Sequence, residues 1–153
     1  STVPNEASFI TRMNEQARSW GLTRTYFKDV HGYNVNNQST ARDYATLFHT
    51  ALRDPDIFKA LATTTYDYTE VLDLNKKPEH NKKNSNELTW RTDLPYKIIA
   101  SKTGYLYEAG YGVTMVVERA DGTQFLIVTM GNPDYLNRNT ETDRLARWAL
   151  ATF

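Results

Sequence analysis

Apolar positions along the chain follow two periods, and the change from one to the other predicts helices first and strands later. Phe9, Ile10, Met13, Ala17 and Trp20 recur at helical spacing, with polar Arg12, Glu15, Gln16 and Arg18 on the other face and Gly21 placed to end the helix. That pattern predicts a helix packed on a core. Residues 22–32 have no helical period and read as a connection, with His31-Gly32 in a turn. Ser39-Thr40-Ala41-Arg42-Asp43 opens a second helix, in which Thr40 caps the end and Asp43 resembles the return partner of a capping box. A carboxylate there also suits the positive helix N-terminus. Tyr44, Ala45, Leu47, Phe48, Ala51 and Leu52 supply its apolar stripe. Asp54-Pro55 stops that helix and begins a shorter one, with Ile57, Phe58 and Leu61 expected to face inward.

Further on, the period shortens to two. Residues 63–74 are rich in Thr, Tyr and Val, which favours extended structure, and 75–86 reads as a polar loop carrying Lys76, Lys77, Lys82 and Lys83. Such a loop is more simply a solvated tip than a polyanion-binding patch. Asn84-Ser85-Asn86-Glu87-Leu88-Thr89-Trp90 follows, with Trp90 as its apolar anchor. Ile98-Ile99-Ala100 is a short run apolar enough to be covered on both faces, and alternation places Lys102 on the face of Ile98 and Ala100. An ammonium group buried there needs partners, because an unpaired buried charge is strongly unfavourable. Strands over 109–118 and 124–130 flank Asp121-Gly122, a strong hairpin signal. The Lys102 strand is expected to pair with the first of these in an antiparallel sheet. A closing helix over 140–151, with Leu145, Trp148 and Ala149 on one face, should cover one side. No repeat or linker interrupts the order, so 1–153 reads as a single α+β unit.

Composition narrows the function. Eighteen basic residues balance eighteen acidic ones, so no global field gathers nucleic acid or a membrane surface. Cysteine is absent, which excludes disulfides and thiolate chemistry. No apolar run approaches the ~20 residues of a membrane helix. His31, His49 and His80 fall on a turn, a helix and a loop without ligand spacing, so no metal and no cofactor is expected. No Gly-rich phosphate loop or Gly-x-Ser-x-Gly elbow occurs. Asp67, Glu70 and Asp73 read as the polar side of a strand. A first residue other than Met suggests a processed product or a fragment.

The chemistry concentrates in Lys102-Thr103-Gly104-Tyr105 and the nearby Ala109-Gly110-Tyr111. Lys102 brings a positive charge, Thr103 a hydroxyl, and Gly104 a bare stretch of backbone that something can approach. Lys-Thr-Gly at a strand end is one of three elements of the penicillin-recognising serine acyltransferases. Taken with Phe9-Ile10-Thr11-Arg12-Met13-Asn14-Glu15-Gln16-Ala17, Trp20-Gly21-Leu22, Thr25-Tyr26-Phe27, His31-Gly32, Ser39-Thr40-Ala41-Arg42-Asp43 and Asn84-Ser85-Asn86, the series resembles the C-terminal half of the catalytic domain of serine-type D-alanyl-D-alanine carboxypeptidases. These are the low-molecular-mass penicillin-binding proteins.

The resemblance implies the penicillin-binding, β-lactamase-like transpeptidase fold, with an antiparallel sheet and flanking helices. It implies acyl transfer on peptidoglycan stem peptides in the cell envelope, periplasmic or extracytoplasmic, with β-lactams acylating the same serine. Lys102, Thr103 and Gly104 would bind substrate, Lys102 would also orient a catalytic hydroxyl, and the backbone N–H of Tyr105 would be an oxyanion-hole donor. Two departures stand out. No serine in this sequence has a lysine three residues later, so the nucleophile's Ser-x-x-Lys motif is absent and the chain alone is expected to be inactive. Ser85 stands where some relatives place an arginine between the two asparagines, so carboxylate binding would rest on Lys102 and Thr103. Two further readings stay open: a non-catalytic module that binds stem peptides, and a structural half-domain that assembles with another chain. Without an N-terminal half, a partner chain or a self-associated copy, apolar surface around Ile98 and Ala100 is expected to lie bare and the chain to be marginally stable.

Overall fold

The computed structural model describes residues 5–69 and 79–153. Asn5 caps the first helix, α1 (Glu6–Ser19), by accepting from the Ser8 N–H at 2.9 Å. Gly21, at φ 75°, turns the chain out of it. The predicted stripe does not pack on a core: Phe9 is 51% exposed and Trp20 39% exposed, while Asn14 and Ala17 are buried. The face is set by a polar pair instead. The Asn14 amide donates to the Phe27 carbonyl and accepts the Phe27 N–H, both at 2.8 Å, tying α1 to the connection that follows. That connection folds around Asp29, whose carboxylate accepts the N–H groups of Gly32, Tyr33 and Asn34 at 2.7–2.9 Å and the Asn37 side-chain amide at 2.8 Å.

The second helix, α2 (Ala41–Ala51), starts as predicted, with Thr40 Oγ1 accepting from the Asp43 N–H at 3.2 Å. Asp43 does not return to the cap. Its carboxylate is drawn to the Arg24 N–H at 2.8 Å and the Thr25 hydroxyl at 3.0 Å, which fastens the connection to α2. Asp54 caps the third helix, α3 (Pro55–Ala62). Here the inward-facing assignment fails: Ile57 and Phe58 are 43% and 39% exposed, and only Leu61 reaches the core. Eight residues make little more than two turns, so one contact with the sheet fixes the helix rotation and leaves the opposite apolar side bare.

A small antiparallel sheet of β1 (Thr65–Thr69) and β2 (Glu79–Lys83) comes next, with Tyr66 opposite Lys82 and Tyr68 opposite His80. The predicted loop over 75–86 is therefore strand in its later part. Cross-strand pairs outweigh its polar composition: Tyr68 stacks on His80 at 4.9 Å, and the Asn81 amide donates to Asp67 at 2.6 Å. Glu70, Asp73, Lys76 and Lys77 lie outside the described residues.

The main sheet has the order β3-β4-β5, formed by β3 (Lys97–Leu106), β4 (Gly110–Glu118) and β5 (Gln124–Asn132), all antiparallel as expected. Gly122, at φ 86°, donates to the Arg119 carbonyl in the predicted hairpin turn. Strict alternation along β3 does not hold. The register slips between Ile98, opposite Val117, and Ala100, opposite Val116. Ile98 therefore joins one core, with Leu88, Tyr96, Met115, Val117, Ile127, Ala146 and Ala149, while Ile99 and Ala100 join another, with Phe48 and Val116. Each fully buried side chain, such as Met115 or Val117 at 0% exposure, contributes ~1.5–3 kcal/mol.

The last helix, α4 (Tyr135–Thr152), covers the first core and starts well before the predicted residue 140, because Asp134 caps it through the Asn137 N–H at 2.8 Å. Its inner face is Arg138, Thr142, Ala146 and Ala149. Trp148 points outward, 54% exposed, against the Phe153 ring at 5.7 Å. Both faces of the sheet are thus covered by the chain's own helices, and the bare apolar surface expected around Ala100 is not found: Ala100 is 1% exposed.

Candidate functional site

Because β3 is an edge strand, one side of its backbone is free of strand partners, and Lys102, Thr103 and Gly104 lie on it. Lys102 and Thr103 stand between two open cavities. One, of about 640 Å³, is walled by α3 and the β1–β2 sheet. The other, of about 1190 Å³, reaches from the start of α2 and the Asp29 connection past Gly104 and Tyr105. Lys102 is exposed rather than buried, because it faces this open space; its ammonium group donates to the Thr103 carbonyl. The partners that a buried lysine would demand are not required. Gly104 is bare as expected: a methyl group built there would meet nothing within 4 Å.

The Thr103 hydroxyl lies 2.5 Å from that of Ser85, so the residue at the arginine position of some relatives contributes a hydroxyl that orients Thr103. Ser85 is in turn well supported. The Asn84 amide donates to the Thr63 carbonyl at 3.1 Å, and its oxygen accepts the Asn86 N–H at 2.9 Å. Asn86, fully buried, caps the short 3-10 turn Glu87–Trp90 by accepting from the Leu88 N–H. The anchor of this segment is Leu88, at 3% exposure. Trp90 is 44% exposed and lies under the Lys83 ammonium, 5.1 Å from the ring centre.

Arg138 escaped the sequence reading, since the helix carrying it was expected to begin two residues later. Its guanidinium donates to the Ser85 carbonyl at 3.0 Å and to Asn139 at 3.1 Å, and Asn139 reaches Glu87 at 3.0 Å. Burial pulls the Arg138 guanidinium below its usual pKa, with Glu87 and Tyr111 opposing. The signal that would have found it is Asp134 followed three residues on by Asn137, a cap pattern just after Pro133.

Tyr105 closes the site at its far end, its ring 56% exposed and packed on Tyr111 with centroids 4.1 Å apart. Gly110 and Gly112 let β5 approach closely beneath. A methyl at Gly110, which sits at φ 71°, would come within 2.8 Å of the Asn132 carbonyl. Ser101, the residue before Lys102, is buried, with a hydroxyl that has no hydrogen-bond partner among the described residues. His31, His49 and His80 lie on the Asp29 connection, α2 and β2 respectively.

Comparison with known proteins places this arrangement. Residues 3–134 match the model of a family described as D-alanyl-D-alanine carboxypeptidase. The chain is 29% identical over 153 residues to D-alanyl-D-alanine carboxypeptidase DacA of Haemophilus influenzae, covering 99% of this chain and 35% of that protein. The structure resembles that of penicillin binding protein 5 from Haemophilus influenzae, with a TM-score of 0.79 and 28% identity over 96% of this chain and 40% of the other. It shares the fold of the Streptomyces K15 DD-transpeptidase, with a TM-score of 0.80 and 24% identity over 95% of this chain and 55% of the other. The fold is thus the α+β penicillin-binding fold, and the chain spans about a third of the length of the curated relatives it matches.

Proposed function

Starting from the family to which the chain belongs, that of the D-alanyl-D-alanine carboxypeptidases, we propose that it forms the Lys-Thr-Gly side of the substrate groove of a peptidoglycan-processing serine DD-carboxypeptidase. The supporting observation is the free edge of β3, where Thr103 is held by Ser85 beside an exposed, unpaired Lys102 and a bare Gly104. In this reading the Thr103 hydroxyl donates to the terminal carboxylate of a stem peptide ending in D-Ala-D-Ala, and Lys102 adds positive potential. Bonds of this charge-assisted type contribute roughly 1.5–3 kcal/mol each. The Tyr105 N–H meets the scissile carbonyl oxygen as negative charge develops there; loss of one such donor elsewhere costs on the order of 10²–10³ in rate.

The nucleophile belongs to a Ser-x-x-Lys segment that these 153 residues do not contain, supplied by an N-terminal half or a partner. Its serine oxygen attacks the carbonyl carbon, the C–N bond breaks, and the leaving amine takes a proton. Water then hydrolyses the ester. A β-lactam would enter by the same route and remain as the ester. Such a groove belongs in the cell envelope, on the outer side of the cytoplasmic membrane. Among the described residues, no helix is long and apolar enough to cross a membrane.

The test is release of D-alanine from an N-acylated peptide ending in D-Ala-D-Ala, measured with the chain joined to a Ser-x-x-Lys-bearing segment of the family. Activity that disappears in Thr103→Val supports the reading. Peptide binding with no hydrolysis would instead favour a stem-peptide-binding module.

A further inference from the structure

The smaller cavity beside β3 has a charge composition unlike that of the chain as a whole. Four lysines wall it: Lys59 from the last turn of α3, Lys82 and Lys83 from β2, and Lys102 from β3. Against them stands a single carboxylate, Asp56, in a chain whose eighteen basic and eighteen acidic residues balance. Among the described residues none of the four lysines forms an ion pair. Lys83 rests over Trp90, and Lys102 donates to a carbonyl, so neither charge is neutralised. Three separate elements therefore hold like charges around a common space, which raises the local concentration of anions there. The floor adds Ser101, whose buried hydroxyl has no partner among the described residues. At about 640 Å³ the space falls in the ~300–1,000 Å³ range of small-ligand sites.

Its position along β3 says which part of a substrate would enter it. In the groove reading above, on which this inference rests, Tyr105 meets the scissile carbonyl and Thr103 the carboxylate of the residue that leaves. The path from Tyr105 to Thr103 therefore runs from the bond being broken toward the leaving group. Lys102 and Ser101 continue that path into the lysine-walled cavity. Whatever fills it lies beyond the leaving residue's own carboxylate. D-Alanine, with only a methyl side chain, has nothing to place there.

We infer that this cavity is a leaving-group subsite for an additional anionic group, so that the groove accepts peptides in which the residue after the D-alanine carries a second carboxylate on its side chain or on an attached peptide. The chemistry is unchanged: the C–N bond to that residue breaks, its nitrogen takes the proton, and the acidic fragment departs as the free amine.

Binding of three N-acylated peptides to the full 153-residue chain tests this, using peptides alike except for an ending of D-Ala-D-Ala, D-Ala-D-Glu or D-Ala-D-Gln. The expected result is that the D-Glu peptide binds about tenfold more tightly than its neutral D-Gln isostere. The preference should shrink with added salt and fall to about one in Lys59→Gln/Lys82→Gln/Lys83→Gln. Equal affinity for the D-Glu and D-Gln peptides, with the D-Ala-D-Ala peptide still bound and weakened by Thr103→Val, overturns the subsite and leaves the groove reading standing. Failure of all three peptides to bind sinks both. A preference that survives intact in the triple variant assigns it to another surface and overturns the inference. All three variant positions are exposed, and the variant's circular dichroism and melting point, compared with the parent's, establish that it is folded.

Discussion

Replacing Arg138 by Met sets two opposed terms against each other at the support of the site. Methionine keeps an unbranched stem and a similar helix propensity, so the change mainly deletes the guanidinium. Lost are the bonds to the Ser85 carbonyl at 3.0 Å and to Asn139 at 3.1 Å. Hydrogen bonds from a charged donor are worth roughly 1.5–3 kcal/mol, and the Ser85 carbonyl sits in an exposed residue, so water takes over part of that. Recovered is some of the desolvation cost of a cation that is 5% exposed and whose pKa is already pulled down by burial. The balance is a net loss of about 1–2 kcal/mol, and at ~2–4 °C per kcal/mol for a chain of this size the midpoint falls by about 2–8 °C. Thermal and urea unfolding of the two chains measure this, with an unchanged urea slope showing that the same surface unfolds. Hydrogen exchange at Ser85 and Asn86 should quicken in the variant. A variant as stable as the parent would mean that burial cost exceeds the bonds. Lower stability with unchanged exchange at Ser85 would mean that Arg138 holds the helix but not the site.

Four further outcomes follow from the same geometry. Thr103→Val should weaken binding of a D-Ala-D-Ala peptide by about 10–150-fold, the equivalent of one charge-assisted bond, with little change in melting point, read by calorimetric titration. Gly110→Ala should destabilise by about 1–3 kcal/mol, since its methyl meets a backbone carbonyl at a φ of 71°, whereas Gly104→Ala should leave stability within about 0.5 kcal/mol and obstruct peptide binding; comparable melting points for the two would contradict the contrast. Asp29, held at a pKa of about 2 chiefly by the Asn37 side-chain amide and then by the Gly32, Asn34 and Tyr33 N–H groups, contributes stability that is present above the usual carboxylate pKa and lost as pH falls through about 2. The amide signals of Gly32, Tyr33 and Asn34 should therefore titrate near that value rather than near 4. Finally, the chain alone should unfold cooperatively as a monomer, because both faces of its sheet are covered, and should show no covalent adduct with fluorescent penicillin by intact mass; an adduct on Ser85 or Ser101 would relocate the nucleophile.

Much of this architecture was legible in the sequence where a local rule had no competitor. Asp121-Gly122 between alternating runs gave the hairpin, and Thr40 gave the start of α2. The misreadings share a physical cause: periodicity states that a face exists but not what meets it. Phe9, Ile57, Phe58 and Trp148 occupy proper helical positions yet face outward, because Asn14, Leu61 and the Arg138–Thr142–Ala146 line decide the rotation of their helices. For the site, Lys102, Thr103 and Gly104 were readable from their own chemistry. Ser85 and Arg138 act on Thr103 from 18 and 35 residues away in sequence, through contacts that no local pattern records. The lysine-walled cavity is likewise assembled from three elements, and the polar composition of β2 concealed it.

The slipped register at Ile99 has an evolutionary corollary. A strand that must show Lys102 and Thr103 to opposite sides cannot ordinarily change length upstream, because one inserted or lost residue would turn every later side chain over. The extra residue in β3 breaks that dependence. Deleting Ile99 would let Ile98 and Ala100 alternate normally against Val117 and Val116, giving up the packing of one isoleucine while everything from Ala100 onward keeps its orientation. The segment between Trp90 and Ala100 can therefore drift in length, with the slack taken up at this point. Descendants of this chain can be shortened there by one residue and keep a working edge, whereas the same deletion between Ser101 and Tyr105 would dismantle it.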